Sequence, residues 1–157
     1  MAISGAVREH LDKHGIQYQI HAHPHTESSM RTAEAAHVSG ELVAKAVLLK
    51  DDEGYVLAVV PSTHNVLISE LQQRLDRTVE AAPEIDLGVV FPDCELGAVP
   101  ALGAAYQLET VVSDALRDEP ELYFEAGDHE QLVKLSGADF NRLFADARYL
   151  PCSIHKA

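Results

Sequence analysis

Lys45 is the residue whose type and surroundings are best suited to chemistry. It interrupts an otherwise apolar run, VAKAVLLK at 43–50, where an ammonium group would lose much of its hydration. Such a side chain either lays its stem along apolar surface and carries its head to water, or holds an anion or a developing oxyanion in a pocket. The residue pattern alone leaves both interpretations open.

Two glycine-containing segments are candidates for the walls of such a pocket. Gly97 and Gly103 bracket GAVPALG, in which Pro100 stiffens the backbone, and glycine lets a ligand approach backbone N–H groups closely. Gly127 and His129 lie in EAGDHEQ, between two strand-like runs. Each segment is also compatible with an ordinary surface turn.

The histidines raise the alternative of a metal centre. His21, His23 and His25 share one parity along the chain, and His10 and His14 are spaced i and i+4. Imidazole is a common zinc ligand, but no nearby carboxylate or thiolate completes an evident ligand set. The sequence therefore predicts no metal site and no cofactor.

Charge and composition restrict the partners. The net charge is −13, and the twelve Lys and Arg residues form no run, so a broad grip on nucleic-acid phosphates is excluded. A nucleic-acid substrate would have to be held locally, at a single-stranded end. No apolar run approaches the roughly 18 residues of a membrane span, so we expect a cytoplasmic protein that binds no membrane.

The two cysteines, Cys94 and Cys152, show no C-x-x-C spacing, which favours reduced thiols. Cys94 lies between Asp93 and Glu95, and these acids should raise the thiol pKa. We therefore expect Cys94 to be structural.

Hydrophobic periodicity predicts one mixed α/β (α+β) domain spanning residues 1–157. Its expected centre is a hairpin of strands 43–50 and 55–61, joined by DDEG and apolar on both faces. Further strands are expected near 16–20, 108–112, 121–127 and 132–135. Helices are expected over 2–14, after a Thr32 cap, within 65–75, near 83–91, and after a Ser136 cap.

Three segments in this order, VAKAVLLK, FPDCELGAVPALG and YFEAGDHEQLVKLSGADFNRLF, resemble the YbaK/prolyl-tRNA synthetase-associated family of editing domains. The resemblance covers the chain from the first helix to about Phe144. It implies a curved mixed β-sheet with flanking helices and a pocket on one side.

The resemblance also implies an activity, in which a trans-editing hydrolase removes a mischarged small amino acid from the 3′ acceptor end of a tRNA. Lys45 would be the catalytic residue and would fix the 3′-terminal nucleotide or the carbonyl. The implied substrate-binding residues are Gly97, Ala98, Val99, Pro100, Gly103, Gly127 and His129. An aminoacyl-tRNA synthetase is a further expected partner, and Arg31, Lys50 and Lys134 are the cations expected to help hold the tRNA.

Two positions depart from the family pattern. Ala46 stands where some members carry a polar residue that helps to choose the substrate, and Ala101 stands where many have a second proline. Neither change removes the lysine, but both leave the accepted amino acid open. The alternative function is a non-enzymatic module that docks on a synthetase or holds a nucleotide-like ligand, because binding and hydrolysis use the same walls.

Overall fold

The fold is described from a computed structural model that covers residues 3–26, 29–95 and 98–156. The helices are α1 (Gly5–Lys13), α2 (Ser29–Ala35), α3 (Ile68–Leu75), α4 (Glu84–Val90) and α5 (Gly137–Leu143). The first strands are β1 (Gln19–Ala22), β2 (Val43–Asp51), β3 (Gly54–Pro61), β4 (His64–Val66) and β5 (Glu80–Ala81). The later ones are β6 (Glu109–Ser113), β7 (Glu121–Glu125), β8 (Gln131–Ser136), β9 (Arg148–Leu150) and β10 (Ser153–His155).

The predicted hairpin is confirmed and forms the middle of the sheet. Strands β2 and β3 pair antiparallel from Ala44 with Pro61 to Asp51 with Gly54. The sheet order is β1-β8-β7-β2-β3-β6-β9, with β5 added to β2, and β10 pairs separately with β4. The β2–β7, β3–β6 and β6–β9 pairs are parallel and the rest are antiparallel, so the sheet is mixed, as expected.

Helices cover both faces of this sheet. On one face Val43 packs with Tyr123 and Ala33 of α2, and farther along β2 Leu49 packs with Leu71 of α3. We call this the α2/α3 face. The opposite face carries the largest cluster, in which Ala44 and Leu48 pack with Val7 and Leu11 of α1 and Phe140 of α5. Because both faces are buried, apolar and polar residues alternate little along β2 and β3.

The predicted cap of the last helix is confirmed. The Ser136 hydroxyl accepts a hydrogen bond from the Asp139 N–H at 3.1 Å and begins α5, as the spacing predicts. Ser4 caps α1 in the same way through the Val7 N–H, so that α1 begins at Gly5 and not at residue 2; this cap was not predicted.

Other boundaries differ from prediction. Helix α3 begins at Ile68 and not near residue 65, because residues 64–66 pair with β10. Thr32 lies inside α2 and not at its start, and its hydroxyl donates instead to Glu125. Strands β4 and β10 were not predicted, since a three-residue strand carries almost no periodicity.

No helix in the described ranges is both long and apolar enough to cross a bilayer.

The turn of the central hairpin is held by a buried carboxylate. Asp51 accepts hydrogen bonds from the N–H groups of Glu53 and Gly54, and Arg77 binds both of its oxygens at 2.7 and 2.8 Å. The Arg77 guanidinium also contacts Glu109 of β6 at 3.0 Å. Chiefly because of the Arg77 hydrogen bonds, the pKa of Asp51 is lowered to about 2.

We expect Arg77→Met to lower stability at neutral pH and to raise the pKa of Asp51 toward its ordinary 3.8. A lowered carboxylate pKa contributes stability that is present above about pH 4 and is lost as pH falls toward 2. The variant should therefore lose less stability than the wild type between pH 4 and pH 2. Urea unfolding across this range checks the expectation, with Arg74→Met as control because Arg74 pairs with Glu70 on the helix surface. Equal losses in the two variants would contradict it.

Candidate functional site

Lys45 lies in the gap between the two apolar clusters of the α2/α3 face. Alternation along β2 puts it on the same face as Val43 and Leu49, and it pairs with Val60 of β3. The cluster at Val43 lies under α2 and the cluster at Leu49 lies under α3. A half-buried ammonium thus stands where neither helix covers the sheet.

The environment of Lys45 lowers its pKa to about 8. Burial is the largest cause, and the charge and proximity of Lys156 add to it. Lys45 therefore holds its proton less firmly than an ordinary lysine and titrates close to physiological pH.

Gly127 and His129 form the turn between β7 and β8. Gly127 has φ of +121°, which side-chain-bearing residues rarely adopt, and an added Cβ would lie 3.3 Å from the Cys94 sulfur. His129 also has a positive φ, +59°, and is buried. Its ring lies 5.2 Å, centroid to centroid, from that of His25. The Asp128 carboxylate secures the turn by accepting from the N–H groups of Glu130 and Gln131.

Glu125 is a candidate functional residue that sequence reasoning missed. It is only 4% exposed, and its Oε1 accepts a hydrogen bond from Thr32 at 2.7 Å. Its Oε2 is buried without a hydrogen-bond partner among the described residues. Burial raises the pKa of this carboxyl, whereas the Thr32 hydrogen bond and the charges of His129 and His23 oppose the rise.

Lys45 and the Glu125 region share one face of the sheet. Val43 pairs with Tyr123 in the parallel β2–β7 register, and Lys45 and Glu125 each lie two residues farther along their strands. Alternation therefore places both side chains on the α2/α3 face. In the sequence, Glu125 stands out only as an acidic residue within a strand-like run. That feature does not show whether the acid is buried or exposed.

The segment 98–103 runs from this region to the other side of the sheet. Gly97 lies outside the described residues. Near its start, the Glu95 N–H donates to the Gly127 carbonyl at 2.7 Å, and the Ala98 N–H donates to the Glu95 carbonyl at 3.0 Å. Ala98 and Pro100 are buried and Val99 is half-buried. The beginning of the segment is thus tied to the Gly127 turn.

The end of the segment belongs to the core of the opposite face. Leu102 packs in the cluster that contains Ala44, and Ala46 also packs against that cluster, so Ala46 points away from Lys45. A Cβ on Gly103 would lie 2.2 Å from the Thr110 hydroxyl. Packing alone therefore requires glycine at 103. No described contact joins Lys45 directly to 98–103 or to His129.

A hydrogen-bond network ties α1 to the segment that enters the loop. Asp93 accepts from Ser4 at 2.5 Å, from Tyr106 at 2.8 Å and from the Ala6 N–H at 3.3 Å. Cys94 lies against the Tyr106 hydroxyl at 3.3 Å, and the pKa of its thiol is raised to about 12. The expected direction is confirmed, but burial is the larger cause and the charge of Asp93 is secondary.

The histidines at 21, 23 and 25 contact separate groups. His21 contacts the Ala36 carbonyl, His23 contacts the Pro24 carbonyl, and His25 lies 3.8 Å from Glu95. In the residues that the structure describes, no three His, Cys, Asp or Glu side chains are grouped closely enough to hold a metal ion.

Two of the expected tRNA-binding cations already have acidic partners. Lys50 contacts Asp86 at 2.8 Å, near the opposite end of β2 from Lys45, and Lys134 lies 3.4 Å from Glu121. Arg31 is exposed on α2.

We expect Glu125→Gln to be at least as stable as the wild type at pH 7, because the amide carbonyl can still accept from Thr32. A carboxyl pKa raised in the folded state means that ionisation disfavours folding as pH rises above its ordinary 4.5, and glutamine removes this effect. Glu125→Ala should instead lose about 1–3 kcal/mol, because it leaves the buried Thr32 hydroxyl without this acceptor. Urea unfolding at pH 5 and pH 7 measures both. A glutamine variant much less stable than the wild type at pH 7 would overturn the argument.

Comparison with solved structures supports the fold. A protein described as a proposed trans-editing enzyme for prolyl-tRNA synthetase superposes with a TM-score of 0.83 at 16% identity, over 99% of this chain and 100% of that one. A scaffold used for computational epitope grafting gives 0.82 at 14% identity, with 96% of each chain covered. A proposed signal transduction protein of Marinobacter aquaeolei gives 0.81 at 17% identity, over 98% of this chain but 31% of that one.

No curated protein matches this chain at a significant level. The model of the aminoacyl-tRNA editing domain family, however, matches residues 23–143, which include Lys45, the loop and the β7–β8 turn. The match spans well over half of the chain, and the chain belongs to the aminoacyl-tRNA editing domain family.

Proposed function

We propose that this domain is a trans-editing hydrolase that removes a mischarged small amino acid from the 3′ end of a tRNA. Family membership supplies the substrate class. The observation that carries the proposal is the half-buried Lys45 ammonium, with its pKa lowered to about 8, in the gap between α2 and α3. Packing of the stem alone would leave the ammonium in water, whereas burial is the largest cause of the lowered pKa of Lys45.

In the proposed site, Lys45, the start of the 98–100 segment and His129 converge on the aminoacyl end. Three observations support this arrangement. Lys45 and Glu125 share a face of the sheet, His129 lies close enough to Glu125 to influence its pKa, and Glu95 ties the loop entrance to Gly127. These residues thus surround the carboxyl end of β7.

The proposed ester hydrolysis requires little more than correct placement of the reacting groups. An aminoacyl ester is an activated acyl group, so a positioned water and a few fixed donors supply much of the required acceleration. Lys45 would hold the terminal nucleotide or the ester carbonyl, and the backbone of 98–100, with the Val99 N–H as its donor, would face the aminoacyl group. Only a single-stranded end has to enter, which is compatible with the net charge of −13. A synthetase partner would offset the weak long-range attraction of such a protein to tRNA.

The proposed amino-acid pocket is small. Val99 supplies apolar surface at the loop entrance, whereas Ala98 and Leu102, the other walls expected from the sequence, are fully buried, Leu102 in the opposite cluster. No polar selector comes from Ala46, because it points to the opposite face.

We therefore expect alanine, serine or cysteine esters to be hydrolysed in preference to bulky ones. A hydrophobic pocket separates similar small groups by only about 1–3 kcal/mol per methylene, so several small amino acids should be accepted. The measurement is deacylation across a panel of mischarged tRNAs. Efficient hydrolysis of an aromatic ester, with none of the three small ones cleaved, would refute the expectation.

We also expect Lys45→Ala to abolish most deacylation while the protein stays folded. Loss of a charge-assisted contact of about 1.5–3 kcal/mol corresponds to a decrease of roughly ten- to a hundredfold in rate. Lys45→Arg should not restore the rate, because a planar guanidinium does not reproduce a compact point charge in a tight site. Single-turnover deacylation and thermal unfolding of each variant measure these effects.

Lys13→Ala is the matched control, since Lys13 is exposed in the last turn of α1. A folded Lys45→Ala protein with nearly normal rates would reject Lys45 as the functional centre. A wild-type protein that binds mischarged tRNA without cleaving any ester would instead support the non-enzymatic module.

A further inference from the structure

The last described strand of the chain lies beside Lys45. Strand β10 pairs antiparallel with β4, His155 opposite His64, and the Lys156 N–H then donates to the Thr63 carbonyl at 2.9 Å. The segment that β10 covers directly follows β3, whose Val60 pairs with Lys45. The Lys156 side chain lies close enough to Lys45 for its charge to lower the pKa of Lys45, although burial is the largest cause.

Basic side chains are concentrated at this point. His64 lies close enough to Lys45 and His155 for both charges to lower its pKa, although burial is the largest cause. The carboxylate that the described contacts place in this group is Glu41. It is bound by His155 at 2.9 Å and by the Thr63 hydroxyl at 2.7 Å, and its other oxygen lies 3.8 Å from His64.

Two ammonium groups in contact repel each other, which is costly when one of them is partly buried. An anion between them would relieve that repulsion and would be held by both. In a protein with a net charge of −13, this group differs sharply from the rest of the surface. A phosphodiester is the anion that a tRNA acceptor end offers next to its terminal nucleoside.

We propose that Lys156, carried by the segment after β10, forms with Lys45 a two-lysine subsite for a phosphodiester of the terminal nucleotides of the tRNA. This inference rests on the proposed function and assigns the substrate-binding role to both lysines. Lys156 binds and positions the strand, and it takes no part in bond breaking. The bound phosphate stabilises the protonated form of Lys45.

The first test is single-turnover deacylation by Lys156→Ala, Lys156→Arg and the Lys13→Ala control. In Lys156→Ala, the enzyme concentration for half-maximal rate should rise by roughly tenfold, the lower end for loss of one charge-assisted contact because Lys156 is only half-buried, while the maximal rate changes by less than about twofold. Lys156→Arg should restore most of the affinity, since a guanidinium also binds phosphate. An unchanged half-saturation in folded Lys156→Ala would overturn the proposal.

Salt dependence identifies the contact as a phosphate contact. For a single-stranded end, removal of one lysine–phosphate contact lowers the slope of log affinity against log salt by about 0.7. Lys156→Ala should show this decrease, and Lys13→Ala should show none. A weakened variant with the wild-type slope would mean that Lys156 acts only through structure, which contradicts the proposal.

A second test does not depend on hydrolysis. The side-chain NMR signals of Lys45 and Lys156, in lysine-labelled protein, are followed during titration with the trinucleotide CpCpA and, separately, with adenosine. We expect CpCpA to shift both signals and adenosine, which has no phosphate, to shift neither. If no ester is cleaved but CpCpA still shifts both lysines, the hydrolase proposal fails and the subsite remains. Equal shifts with adenosine, or none with CpCpA, would reject the subsite.

The same spectra test the contact itself. Lys156 lowers the pKa of Lys45, so Lys156→Ala should raise the pH at which Lys45 titrates above about 8. His64 on β4, His155 on β10 and Glu41 also face this group, and they are unchanged in the variant. An identical titration of Lys45 in the two proteins would show that the ammonium groups are not adjacent.

Discussion

The central constraint on this structure is that β2 and β3 are covered on both faces, so a charged side chain on them has to emerge through a gap. Most of the inward positions of β2 are filled by valine, leucine and alanine, which pack under the helices. Lys45 occupies the interval between the cluster under α2 and the cluster under α3. The separation of the apolar contacts on this face into two clusters is therefore what makes room for a charged group at the middle of the sheet. An unbroken core would leave the ammonium buried and unpaired, which is strongly unfavourable.

Three carboxylates hold the turns and loops around this gap. The Asp51–Arg77 interaction fixes the hairpin turn at one end of β2, and the Asp93 network fixes the entrance to the 98–103 segment. Asp128 fixes the β7–β8 turn through two backbone N–H groups. In each case a carboxylate accepts hydrogen bonds from donors that would otherwise lack a partner in a loop. Part of the large acidic excess of the chain is thus used to hold its own loops.

The sequence predicted those features that depend on neighbours along the chain. The hairpin, the central position of its strands and the Ser136 cap all follow from local pattern. Local pattern did not predict the pairing of β10 with β4, the proximity of Lys156 to Lys45 or the burial of Glu125. Each of these depends on contacts between segments that are distant in the sequence. Thr32 shows the same limit, since its side chain was expected to cap a helix and instead bonds a residue 93 positions away. Gly103 was predicted as part of the binding loop, whereas the atom nearest to a Cβ added at this position is the Thr110 hydroxyl oxygen.

The pairing of β4 with β10 has a consequence for the order of events during synthesis. His64 and Ser153 meet although they lie 89 positions apart in the sequence, so β4 has no partner strand until nearly all of the described chain has left the ribosome. Until then β4 is an open edge next to the most apolar strands of the protein, the kind of edge that templates unwanted pairing with other chains. The short length of β4 and its two polar residues, His64 and Asn65, limit that risk during the delay. Arrival of β10 then both closes the edge and completes the surroundings of Lys45 in one step.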